Sequence, residues 1–141
     1  MISTVAVGVD GSATAGEAVN VAAELAKRFD ARLVLLSAYH HADGAAPGHG
    51  GEQERDWASD PGARQREVVA RTEDRLRQAG VRCETLTAEG QAADVLVRLA
   101  DECSADILVV GNKGMHRRVL GSVPNTVTHK AGCSVLIVKT T

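Results

Sequence analysis

Apolar residues along this chain fall into short unbroken runs, separated by stretches where they recur every three or four positions. Val5-Ala6-Val7-Gly8-Val9 is the first run, and Asp10-Gly11-Ser12 closes it with a turn signal. Thr14-Ala15-Gly16-Glu17 then has the form of a capping box, Thr14 accepting from the first free amides and Glu17 reaching back. Ala18, Ala22, Leu25 and Phe29 fall on one face of the helix that follows. A second strand is predicted over 32–39, around Leu33-Val34-Leu35-Leu36. These runs are continuous rather than alternating, which favours strands covered on both faces, as in a parallel sheet between helices.

The pattern lapses between 40 and 62. His40-His41-Ala42-Asp43-Gly44 opens a glycine-rich, charged stretch with no period, and a long surface loop is expected there. Periodicity returns over 63–79, where Val69, Thr72, Leu76 and Ala79 form a helical stripe and Gly80 marks its end. A weaker strand is predicted over 81–87, and a helix on Ala92, Val95, Leu96 and Leu99. Then come a strong strand over 105–110, a glycine-bearing loop over 111–121, a short helix over 122–131 and a last strand over 133–138. Alternation of this kind implies an α/β fold with a mostly parallel sheet and right-handed crossovers.

Composition narrows the function more than the fold. The 141 residues suit one domain, with 44% hydrophobic and 24% charged residues, so a folded core is expected. Net charge is −2, and Phe29, Tyr39 and Trp57 are the aromatics. A nucleic-acid partner is not expected, for want of basic excess and of stacking platforms. No apolar run suggests a membrane span, and Asp10 comes too early for a signal peptide, so a cytoplasmic protein is expected. Cys83, Cys103 and Cys133 are far apart, with no CxxC pair, and read as free thiols. His40, His41 and His49 share the loop and lack the rigid frame a metal site needs. The arginines of 64–77 interleave with Glu67, Glu73 and Asp74 as a salt-bridged helix face.

Candidate chemistry gathers at the ends of two strands. In an open α/β sheet, ligands bind beyond the carboxyl ends of the strands, where the strand order reverses. Gly8-Val9-Asp10-Gly11-Ser12 follows the first strand, and Gly111-Asn112-Lys113-Gly114 through Gly121-Ser122 follows the fourth. If the two strands are neighbours, the loops face each other. The second has the parts of an anion cradle: glycines, the cations Lys113, His116, Arg117 and Arg118, and a helix start at Ser122 with Pro124 in its first turn. It also reads as an ordinary turn with a capped helix. It is not a P-loop, and GxGxxG does not occur. Asp10 has two readings of equal standing, a local Asx-turn or cap, and a carboxylate that accepts from a ribose hydroxyl. No nucleophile–base pair or paired carboxylates stand out for catalysis.

Val7-Gly8-Val9-Asp10-Gly11-Ser12, Gly111-Asn112-Lys113-Gly114, Gly121-Ser122-Val123 and Cys133-Ser134-Val135-Leu136-Ile137-Val138 together resemble the universal stress protein family, in its nucleotide-binding branch. The resemblance covers essentially the whole chain, 1–141, as one domain. It implies a Rossmann-like α/β fold: a single open, mostly parallel five-stranded sheet with helices on both faces and strand order 3-2-1-4-5. It implies that ATP, with or without Mg2+, is bound by a stress-response dimer that regulates rather than catalyses. Gly8, Val9 and Asp10 would meet adenine and ribose, with Ala38 lining the adenine pocket and Val110 and Gly111 flanking the ribose. Lys113, Gly114 and Arg117 would approach the phosphates, and Gly121, Ser122 and Val123 would bind the terminal ones. Met115–Leu120 is shorter than the corresponding stretch usually is in the family, which suits a smaller phosphate group. The resemblance therefore admits cyclic AMP as an alternative ligand to ATP. It also admits a weak ATP hydrolase, or an interaction module that binds no nucleotide. Finally, it implies a homodimer paired through the last strand, at Val135, Leu136, Ile137 and Val138.

Overall fold

The computed structural model describes residues 1–40, 60–112 and 120–139. Strands and helices alternate as expected: β1 (Thr4–Gly8), α1 (Ala13–Phe29), β2 (Arg32–Tyr39), α2 (Pro61–Gln78), β3 (Glu84–Glu89), α3 (Ala92–Glu102), β4 (Ile107–Asn112), α4 (Ser122–Lys130) and β5 (Ser134–Lys139). The strands form one sheet in the order β3-β2-β1-β4-β5, every pairing parallel. In register, Val5 of β1 lies between Leu33 of β2 and Ile107 of β4.

The unbroken apolar runs are explained by burial on both faces. Val5, Val7, Leu33, Leu35 and Val109 pack under α1 and α2, with Ala18, Ala22, Val69 and Leu76. Ala6, Val34, Leu36, Leu108 and Val110 pack under α3 and α4, with Leu96, Leu99 and Val127. β1 lies between β2 and β4, so the first crossover runs to one side of it and the later ones return on the other. The strand order therefore reverses at β1 and β4.

Several local expectations are corrected. Ser12, not Thr14, caps α1: its Oγ accepts from Ala15 N at 3.1 Å, and Thr14 already lies inside the helix. Phe29 is 48% exposed rather than in the core. The 17 residues of α1 extend roughly 25 Å, whereas the five of β1 reach only about 17 Å, so the last turn overhangs. The inward face is Ala15, Ala18, Val19, Ala22 and Ala26. α2 begins earlier than expected, at Pro61, with Asp60 Oδ1 accepting from Gly62 N at 2.9 Å. The remainder of the expected 40–62 loop, 41–59, lies outside the described residues. β3 starts at Glu84, not 81, because the chain first closes α2. Gly80 N donates to Arg77 O and Val81 N to Leu76 O, with Gly80 at φ +79°.

Candidate functional site

The carboxyl ends of β1, β2 and β4 open onto a cavity of about 340 Å³, within the usual range of small-molecule sites. β1 and the turn after it contribute Gly8, Val9, Asp10 and Ser12, and β2 contributes Ala38. Val110 and Gly111 come from β4, Gly121, Ser122, Val123 and Pro124 from the start of α4. Every candidate site residue read from the sequence lines this cavity, except Lys113, Gly114 and Arg117, which lie outside the described residues together with His116 and Arg118. Ser12 and Pro124, which belong to the two candidate loops, line it as well, and so do Thr14, Ala15, Ala92 and Leu96, which were not anticipated. Ala92 starts the helix that follows β3, so the rule that singled out Ser122 would have found it, whereas Leu96 lies a turn further in.

The floor of the cavity depends on close backbone approach. A Cβ on Gly111 would stand 2.8 Å from the carbonyl oxygen of Thr14, closer than side chains come, so α1 can sit against β4 here only because residue 111 is glycine. The β1–α1 turn is fixed by hydrogen bonds. Val9 N donates to Leu36 O at 2.8 Å, and Ser12 N donates to Asp10 Oδ1 at 2.8 Å. The Asx-turn reading of Asp10 is thus realised, and the same carboxylate borders the cavity. From α2, Gln65 Nε2 donates to Val9 O at 2.8 Å.

The first turn of α4 lines the same cavity as Asp10. No side chain caps this helix among the described residues. Asn112, 1% exposed, accepts from Gly121 N at 2.8 Å through its Oδ1. The Gly121 amide, expected among the phosphate donors, is therefore already engaged, and Asn112 ties the two ends of the intervening loop together. Pro124 has no N–H to offer, and Asn125 N donates to Gly121 O. Among the described residues, no partner is seen for the amides of Ser122 and Val123 at the positive end of the helix. Val9, Ala38, Leu96 and Val110 give the lining an apolar part. Asp10 is the charged side chain among the described lining residues.

The remaining candidate chemistry lies elsewhere. None of the three cysteines borders the cavity, and burial pushes each thiol upward from its ordinary range, which keeps it protonated at neutral pH. Among the described residues no group of three His, Cys, Asp or Glu could hold a metal ion, and no helix is long and apolar enough to cross a membrane. His40 is exposed, and His41 and His49 lie outside the described residues. At the far edge of the sheet, β5 pairs with β4 on one side, and its Leu136 is 37% exposed.

Comparison with known proteins places this geometry. The sequence profile of the universal stress protein family matches residues 1–139. A universal stress protein of Mycobacterium tuberculosis is 38% identical over 148 residues, covering 98% of this chain and 97% of the relative. A crystal structure of a universal stress protein in complex with cyclic AMP superposes with a TM-score of 0.77 at 34% identity, over 99% of each chain. A universal stress protein from Archaeoglobus fulgidus in complex with dAMP superposes with a TM-score of 0.67 at 25% identity, over 99% of this chain and 100% of that one.

Proposed function

The chain belongs to the universal stress protein family, and from that premise we propose that it binds an adenine nucleotide in the cavity between β1 and β4, as a binding and regulatory protein rather than an efficient enzyme. The observation that carries this reading is that the N-terminus of α4, with no side-chain cap among the described residues, shares one largely apolar cavity with Asp10. In this arrangement the base lies against Val9, Ala38, Leu96 and Val110. Asp10 accepts from the ribose 2′-hydroxyl. The amides of Ser122 and Val123 receive a phosphate, with Lys113, Gly114 and Arg117 completing the cradle. Gly111 lets α1 seat closely on β4 at the floor of the site.

Two ligands compete for this reading. ATP is the expectation from the sequence resemblance. Cyclic AMP is favoured by the supply of donors at α4: with Gly121 N held by Asn112 and Pro124 lacking an N–H, the helix offers two amides, which suit one phosphate better than three. The cyclic AMP complex of a relative 34% identical supports the same choice. The deciding experiment is a competition titration, with a fluorescent adenine nucleotide displaced in parallel by cyclic AMP and by ATP with magnesium. Cyclic AMP is expected to displace it in the micromolar range, about 8 kcal/mol of binding. Stronger displacement by ATP would give the site to the triphosphate, and displacement by neither would end the nucleotide reading.

A homodimer through β5 belongs to the same proposal. The strand ends the sheet with its outer edge unpaired by any described strand and Leu136 partly exposed beside Val135, Ile137 and Val138. Symmetric pairing of two such edges would bury it. Ile137→Lys is expected to yield monomer by light scattering, and a dimer that persists would rule out this interface.

A further inference from the structure

The turn that presents Asp10 is held from three sides, and one of them lies outside the sheet. Val9 N is fixed by Leu36 of the adjacent strand, and Asp10 Oδ1 by the amide of Ser12 within the turn. The third hold is Gln65 of α2, whose Nε2 reaches the Val9 carbonyl oxygen at 2.8 Å across 56 positions of sequence. Just along the helix, Val68 rests on the same turn. Its Cγ1 lies 3.2 Å from where a Cβ on Gly11 would stand, and Gly11 holds φ +83°.

Position 65 is unusual for its helix. It continues the inward stripe of Val68, Val69, Thr72 and Leu76, where an amphipathic helix carries apolar side chains. A half-buried amide on such a face costs stability unless it is bonded. Gln65 is bonded, and its acceptor belongs to the backbone that lines the cavity. Val9 is only 5% exposed, so water has little access to replace that donor.

We propose that Gln65 is a positioning residue for the cleft. By holding the Val9 carbonyl it fixes the peptide that follows, and with it the direction in which Asp10 faces the cavity. The hydrogen bond also links the seat of α2 to whatever occupies the site, because a ligand that draws on Asp10 strains or relaxes the contact with Gln65. The geometric part stands without the nucleotide reading; the effect on affinity rests on it.

The test compares the parent with Gln65→Met, which keeps the length of the side chain and removes the donor, and with Gln65→Lys, which restores a donor. In ligand-free protein, amide hydrogen exchange at Ser12 reports the integrity of the turn. It is expected to speed up by about tenfold in Gln65→Met and to return near the parent rate in Gln65→Lys. Cyclic AMP affinity is expected to follow the same order, weakened by about five- to tenfold in Gln65→Met and recovered in Gln65→Lys. Parent-like exchange at Ser12 in Gln65→Met would overturn the proposal, and so would equal loss in both variants, which would mark a packing role. A parent protein that binds no adenine nucleotide would end the nucleotide reading, while the exchange rates would still decide the role of Gln65.

Discussion

At the amino end of the sheet, Asp106 Oδ2 accepts from Ser3 N at 2.8 Å, Thr4 N at 2.9 Å and the Ser3 hydroxyl at 3.2 Å, and Asp106 N donates to Thr4 O. Arg32 bonds Glu84 through Nε and Nη2, at 2.7 and 3.1 Å. The helix ends at this side are closed by the chain itself, α1 by Ala31 N on Ala26 O and α2 by Val81 N on Leu76 O. A groove of about 630 Å³ lies here, larger than the cavity at the other end. At the carboxyl end the cavity is smaller, but the α4 terminus above it has no side-chain cap among the described residues. The contrast teaches that volume does not locate the function. In this molecule the described bonds at the amino end hold β1 to β4 and β2 to β3, whereas the proposed site lies where the first amides of α4 have no side-chain cap among the described residues.

The contrast can be broken at either end. The largest effect is expected from Gly111→Val, because a Cβ 2.8 Å from the Thr14 carbonyl oxygen forces α1 off β4. Urea denaturation should show a loss of about 1–3 kcal/mol, and calorimetry should show nucleotide binding abolished. A variant that keeps the parent's stability and affinity would mean that close approach does not build the floor. Ser122→Asp should separate stability from binding. A carboxylate in the first turn of α4 stabilises the helix by about 0.3–1 kcal/mol, yet it stands where the phosphate is proposed to sit. The melting temperature should hold or rise while affinity falls by about tenfold or more.

The smallest effect belongs to the amino end and should leave the cavity untouched. The amides of Ser3 and Thr4 hold the Asp106 carboxyl below the ordinary carboxylate range, with the Ser3 hydroxyl adding to them. A carboxyl lowered by folding contributes stability above its unfolded pKa, near 4, and loses it as pH falls through the lower folded value. Asp106→Asn should therefore unfold at lower urea than the parent at pH 7. The gap should close in strong acid, and nucleotide affinity at pH 7 should not change. A change in affinity would show that the two ends are coupled.

Much of this arrangement was legible in the chain. Val5–Val9, Leu33–Leu36 and Ile107–Val110 announced buried strands because residues covered on both faces must be apolar on both. Gly8, Asp10, Gly111 and Ser122 stood out because turns after strands and helix starts have their own residue chemistry. Other features were hidden. Thr14 had the residue chemistry of a cap, and only the path of the turn gives that role to Ser12. Phe29 keeps the helical period of the core but lies past the end of the strand it should cover. Asn112 gave no sign that its side chain would take the Gly121 amide, and Gln65 interrupts an apolar stripe for a reason that lies on another element.

The sequence by itself determined the order of strands and helices, the double coverage of the sheet and the two loops worth watching, since each follows from neighbours a few positions apart. Local pattern did not place β4 beside β1; the family resemblance implied that order, and the tertiary structure shows it, with the carboxyl ends of both strands opening onto one cavity. The tertiary structure alone decided which amides were already spent: Gly121 N on Asn112 and Val9 N on Leu36, with those of Ser122 and Val123 left without a partner among the described residues. The reason is physical. Local pattern is set by backbone sterics and burial within one element, whereas a hydrogen bond commits its donor only when a distant partner arrives, and that partner is chosen by packing.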